Sequence, residues 1–311
     1  DELNATAENS FTIQLLDDPS DNPIELTMSS TRGVVGPADQ LLVGIVVVDG
    51  TVDLLIKGLG PSLSVLGNLQ DPKFSVYNSG ATLIADVDDW QADPSSANLI
   101  SGGHQPASEK EPAAILSLAA GAYTVGLYDV AGQGGTGVLQ ITNLHPGKPG
   151  KIKAVSIRGN TGTGLLSHGV VLEGGQGRMN TLSMARGYDT LSQVGLFGGI
   201  PDPHLRLWEL PASGGWQVVA ENDDWGNHPR AQEIDGHTDT PSPRTARDSA
   251  VLQTLESGIF TYMVEDVAGN SGMVLHDFID LGVDQSVSNH VVDLNGTVSL
   301  EMIWVEPGTF T

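Results

Sequence analysis

The sequence has no cysteine, so disulfides, thiolate zinc sites and cysteine nucleophiles are all excluded. Basic residues are scarce as well: 14 Lys and Arg stand against 38 Asp and Glu, a formal net charge of -24. A chain so short of cations lacks the basic face that displaces counterions from nucleic acid. It also lacks the polybasic segments that hold proteins to anionic membranes. No apolar run approaches the roughly 20 residues that cross a bilayer as a helix. The longest, Leu41 to Val48, is strand-sized, so no membrane insertion is expected. Asp1-Glu2-Leu3 lacks the basic start and apolar run of an export signal, so an exported protein would here be a mature form or a piece.

What the chain does have is glycine and proline, 39 and 17 residues spread along 311 positions, the punctuation of many turns between short strands. Support for helix is thin, confined to short stretches near Pro61–Gly67 and Pro94–Ile100. The chain also repeats itself. Ser30-Thr31-Arg32-Gly33 returns as Ser156-Ile157-Arg158-Gly159, and Leu41-Leu42-Val43-Gly44 has its counterpart in Leu165-Leu166-Ser167-His168-Gly169. Asp71-Pro72 leads a strand through Tyr77 as Asp202-Pro203 leads one through Trp208. Asp86-Val87-Asp88-Asp89-Trp90 matches Glu221-Asn222-Asp223-Asp224-Trp225, and Asp129-Val130-Ala131-Gly132 matches Asp266-Val267-Ala268-Gly269. The anchors keep one order, with separations growing from 126 (32 to 158) to 137 (129 to 266). A period of this length is that of a domain and not of a solenoid repeat.

Within each copy, alternation of apolar and polar residues marks strands, and Asp49-Gly50 marks a hairpin. The expectation is an all-β protein of two tandem jelly-roll-like β-sandwich domains with extra N- and C-terminal strands. The boundaries are an extension over 1–27, copies over 28–145 and 153–282, a Pro/Gly linker over 146–152, and a second extension over 283–311.

The acidic loops carry the most chemistry. Asp86, Asp88 and Asp89 in one copy, and Asn222, Asp223 and Asp224 in the other, could converge oxygen ligands on Ca2+, with Glu109, Glu111 and Asp248 adding to the shell. The alternative is an Asx-rich turn whose carboxylates bond backbone amides. Trp90 and Trp225 read as structural plugs or as sugar-stacking platforms. The eight histidines show no close pair of the kind that binds zinc on a helix, and no serine sits in a Gly-x-Ser-x-Gly elbow, so no enzyme is expected. Two flanking strands, with Phe11, Ile13 and Leu15 in one and Leu300, Met302 and Trp304 in the other, are expected to pair with their own sandwiches or to complete a sheet in the next molecule.

These anchors also carry a resemblance. The Asp71–Tyr77 strand, the Asp86–Trp90 loop and the Gly121–Val125 strand resemble the bacterial pre-peptidase C-terminal (PPC) type of β-sandwich. Closer still is a secreted bacterial repeat family in which an Ile-Gly-Pro-Ser-Leu segment precedes that pattern, here Leu59-Gly60-Pro61-Ser62-Leu63. The second copy departs from it, as Arg186-Gly187-Tyr188-Asp189-Thr190-Leu191. Val298 to Thr311 looks like the first strand of a formylglycine-generating (sulfatase-modifying) domain, without any of that domain's active-site positions. The resemblance implies a non-catalytic module, secreted or at a cell surface and accessory to enzymes or surface proteins. The expectation is a surface or filament subunit whose flanking strands pair with copies of itself or other surface proteins; the alternative is a carbohydrate-binding accessory module of a larger secreted enzyme, with a polysaccharide as partner.

Overall fold

The computed structural model describes residues 23–37, 39–162, 164–175, 177–237, 245–283, 290–293 and 299–302. The first copy contains β1 (Glu25–Val35), β2 (Leu41–Val48), β3 (Val52–Leu59), β4 (Pro72–Asn78), β5 (Leu83–Val87), α1 (Ser96–Ser101), β6 (Ala113–Leu118), β7 (Gly121–Asp129) and β8 (Gly135–Asn143). The second contains β9 (Lys151–Asn160), β10 (Leu166–Glu173), β11 (Met179–Arg186), α2 (Tyr188–Gln193), β12 (Pro203–Leu210), β13 (Gln217–Asn222), α3 (Ala231–Gly236), β14 (Ser249–Leu255), β15 (Gly258–Asp266) and β16 (Met273–Val283). A separate hairpin joins β17 (His290–Asp293) to β18 (Ser299–Met302). The all-β expectation holds, and the strands form where alternation placed them: β2 buries Leu41, Val43, Ile45 and Val47 and turns the residues between them outward.

Each copy divides its strands between two layers, β6-β3-β8-β1 facing β2-β7-β4-β5, and β14-β11-β16-β9 facing β10-β15-β12-β13. The layers then continue across the copies. β1 pairs with β10, and β9 pairs with β2. The 16 strands therefore run as two antiparallel halves, β6-β3-β8-β1-β10-β15-β12-β13 and β14-β11-β16-β9-β2-β7-β4-β5. Exchanging the copies maps one half onto the other. The halves touch at the Val34–Asn160 bridge, two residues that are each other's equivalents, so the point of exchange lies there.

The repeated Arg-Gly pair explains itself at this seam. A Cβ on Gly159 would come within 2.7 Å of Leu166 Cδ1 and 2.9 Å of Leu41 Cδ1, and one on Gly33 would stand 3.2 Å from both. Glycine in both copies is what lets the equivalent Leu41 and Leu166 meet between the sheets. A single apolar cluster then runs through both copies, from Ile24 and Leu26 to Phe278.

Candidate functional site

The register identifies equivalent residues, so each expected site occurs twice. Glu111 and Asp248 are equivalent and buried. Glu111 Oε1 accepts from Gly60 N at 2.9 Å and from Ser62 N and Oγ at 3.0 and 2.6 Å, while Oε2 faces Ser108 N at 3.4 Å. Asp248 accepts from Gly187 N at 3.2 Å, Thr245 N at 2.7 Å and the Thr190 hydroxyl. Burial pushes the Asp248 carboxyl up, and these donors draw it back. The Gly-Pro-Ser-Leu segment is thus a clamp on a buried carboxylate. The extra residue of the second copy lets Thr190 take the place of Ser62, matching an Asp one methylene shorter than Glu.

The other carboxylates of the expected calcium sites stay outside. Asp86 pairs with Lys73 at 2.9 Å and accepts from Ser75 Oγ at 2.7 Å; the Lys73 hydrogen bond holds its carboxyl below the usual value. Asp88, Asp89, Glu109 and Asp223 are exposed, and Asp224 is half-buried. Asp88 is raised by partial burial and then by Asp89, and Asp223 by partial burial and then by Asp202 and Asp224. Asn222 is buried and bonds Asp224 O at 3.0 Å and Ala250 N at 3.0 Å, closing a turn. Among the described residues no three His, Cys, Asp or Glu side chains gather as a metal-binding group.

Trp90 and Trp225 pack as plugs. Trp90 lies on Leu55, Leu99 and Ala113 under α1, and Trp225 on Leu182, Ile234 and Leu252 beside α3. Trp225 Nε1 donates to Thr245 O at 2.9 Å. Both tryptophans are half-buried. Leu300 and Met302 lie in β18, opposite Val292 and His290 of β17. Phe11, Ile13, Leu15 and Trp304 lie outside the described residues.

Sequence reasoning missed two features. The first is a polar interior in the second copy. In the first copy Val43, Val125, Leu139, Leu54 and Ile56 fill the space between layers; their equivalents are His168, Tyr262, His276, Thr181 and Ser183, all buried. His276 Nδ1 lies 3.2 Å from Met184 O, His276 Nε2 lies 3.2 Å from His168 Nδ1, and His168 Nε2 lies 2.9 Å from Ser29 Oγ. A carbonyl only accepts, so His276 carries its proton on Nδ1 and offers a lone pair at Nε2. His168 must then donate from Nδ1 and accept from Ser29 at Nε2. One carbonyl thereby fixes both tautomers, and both rings are neutral. Burial, followed by the neighbouring His276, holds His168 well below its usual value, and burial brings His276 to about 3. Both rings are closed to solvent, so this chain of hydrogen bonds has no access to a substrate. A buried ion pair lies next to it: Arg186 holds Asp277, which also accepts from Ser156 Oγ at 2.5 Å. The equivalent positions in the first copy are Leu59 and Gln140.

The second feature is a groove on the outer face of each sheet at the seam. One is lined by Ser30, Arg32, Gly169, Thr261, Trp208 and Trp216 and holds about 460 Å³. The other, of about 340 Å³, lies over Arg158, Ser156, Gly44 and Thr124, the equivalents of the first four. The repeat of Ser-x-Arg was the available signal; that both arginines face outward along the seam depends on pairing between copies.

No family model matches the chain, and no curated protein does. Among solved structures, a chain from "Life in the extremes: atomic structure of Sulfolobus Turreted Icosahedral Virus" is similar at 10% identity and a TM-score of 0.23, over 83% of this chain and 90% of that one. A likeness of that size carries no argument.

Proposed function

We propose that the protein is a non-catalytic structural subunit that acts outside the cell, at a surface or in a filament built from copies of itself. The observation that carries this reading is a pair of sheet edges with exposed apolar side chains. Among the described residues β5 and β13 each have one neighbour in the sheet, as β6 and β14 do, and they end opposite halves of it. Leu83 and Ile84 on β5 are 51% and 43% exposed, and Val218 on β13 is 43% exposed. Edge strands with free amides and apolar side chains are templates for pairing unless they are blunted, and neither of these carries a lysine or proline. β5 of one molecule set beside β13 of the next is a head-to-tail contact, which extends without closing. The strand order in each copy supports a jelly-roll reading, and the resemblance to secreted repeats supports work outside the cell.

The acidic loops follow directly on these edges, at Asp88-Asp89 and Asp223-Asp224. In this reading they repel one another when edges approach, and calcium shared between molecules relieves the repulsion. The test is sedimentation velocity with electron microscopy over a concentration series, in calcium and in EDTA. Association that grows with concentration, strengthens in calcium and is lost in Leu83→Lys/Val218→Lys is expected. A protein that remains monomeric throughout sinks the proposal.

A further inference from the structure

We propose that the groove over Trp208 and Trp216 binds an oligosaccharide carrying a carboxylate, a uronic acid unit, with Arg32 as the carboxylate contact. Three observations meet there. The first is Arg32. On the same sheet face Arg206 pairs with both Glu221 and Glu265. Among the described residues Arg32 has no ion pair, nor has its equivalent Arg158, and Arg32 is exposed and lines the groove. Its guanidinium fork suits a carboxylate bidentately.

The second is the floor. Across the strands the row runs Ser30, Gly169, Thr261, Trp208. Gly169 needs to be glycine for neither reason that usually holds: its φ is not in the left-handed region, and a Cβ there would meet nothing closer than 3.6 Å. A glycine inside a strand weakens it and often marks the close approach of a ligand. Gly44 repeats this at the equivalent place, with a nearest neighbour also at 3.6 Å.

The third is the wall. Trp216 is 48% exposed and shares the groove with Trp208. Flat indoles suit the apolar face of a sugar ring, and the hydroxyls of Ser30 and Thr261 match a polyol. A peptide partner would instead use the sheet edges, where backbone groups are free. The net charge of -24 opposes an anionic ligand at long range, an effect that salt screens, whereas the contact to Arg32 is short.

The experiment is a titration of the full chain with galacturonic acid oligomers and, separately, neutral galactose oligomers of the same length. It is followed by tryptophan fluorescence and calorimetry in EDTA, so that a calcium bridge cannot replace Arg32. Saturable binding of the acidic oligomer is expected, weakened on the order of tenfold or more in Arg32→Gln. Gly169→Val is expected to fold with unchanged or raised stability and to abolish binding, while Gly44→Val, on the other sheet, leaves it intact. Absence of saturable binding, equal affinity for the neutral oligomer, or full binding by Gly169→Val each overturns the assignment. None of these outcomes bears on self-association, which is read by sedimentation.

Discussion

The two copies share one strand order and differ in what they put between the layers. The first fills its interior with Val43, Val125, Leu139, Leu54 and Ile56; the second places His168, Tyr262, His276, Thr181 and Ser183 at the same points. Within the polar set the two imidazoles are supplied with partners in sequence, from Ser29 to a backbone carbonyl. The comparison teaches that the fold is set by strand pairing and turn chemistry, while core composition decides how the fold responds to its surroundings. An aliphatic interior is indifferent to pH. An imidazole interior is not.

The largest expected difference lies at the ion pair. Arg186→Leu, which installs the first copy's residue, leaves Asp277 buried without its cation and should cost about 3–5 kcal/mol in urea denaturation. Adding Asp277→Gln completes the first copy's pattern and should restore most of the loss. A double variant no more stable than the single would mean that the copies differ in more than these two side chains.

Next comes acid. The folded-state values of both histidines lie below the ordinary 6.5, so the unfolded chain binds more protons once the pH falls under that value. Their contribution is complete above pH 6.5 and is lost progressively below it. With His276 at about 3, the loss from this ring alone reaches about 3 kcal/mol by pH 4. His168→Val/His276→Leu should flatten the profile of stability against pH in this window relative to the parent. Parallel profiles for the two proteins would place the acid sensitivity elsewhere.

The smallest effect belongs to the acidic loops, where the copies agree. Raised values at Asp88 and Asp223 mean that their ionised forms are disfavoured in the fold, so Asp88→Asn and Asp223→Asn should each raise the melting temperature slightly in EDTA. Calcium should raise the parent's melting temperature and raise that of the variants less, because a ligand of the native state stabilises it. Melting curves that ignore calcium in all three proteins would leave the loops as turns.

Much of the fold was legible in the chain. Alternation in Leu41–Val48 and Gly121–Asp129, the Asp49-Gly50 turn and the repeated anchors determine strands and duplication through local chemistry. The fused sheets were not legible, because nothing local distinguishes a strand that pairs within its copy from one that pairs across copies. The His168–His276 contact joins residues 108 apart through register alone. Glu111 and Asp248 illustrate a different limit. The sequence offers their side chains as added metal ligands, and only the positions of Gly60, Ser62, Gly187 and Thr190 reveal which donors reach them.

The Val34–Asn160 bridge has a consequence for how such a molecule is built. A contact whose two sides are equivalent residues is the contact a symmetric homodimer makes across its twofold axis. A lone copy would have to find its mate by diffusion, and its integrity would depend on protein concentration. The connection at 146–152 makes that encounter intramolecular, so the partner is always present. It also releases the halves from identity, since a change in one is no longer imposed on both. A histidine pair on one side of the axis and aliphatic packing on the other is an arrangement open to a fused dimer and closed to a homodimer.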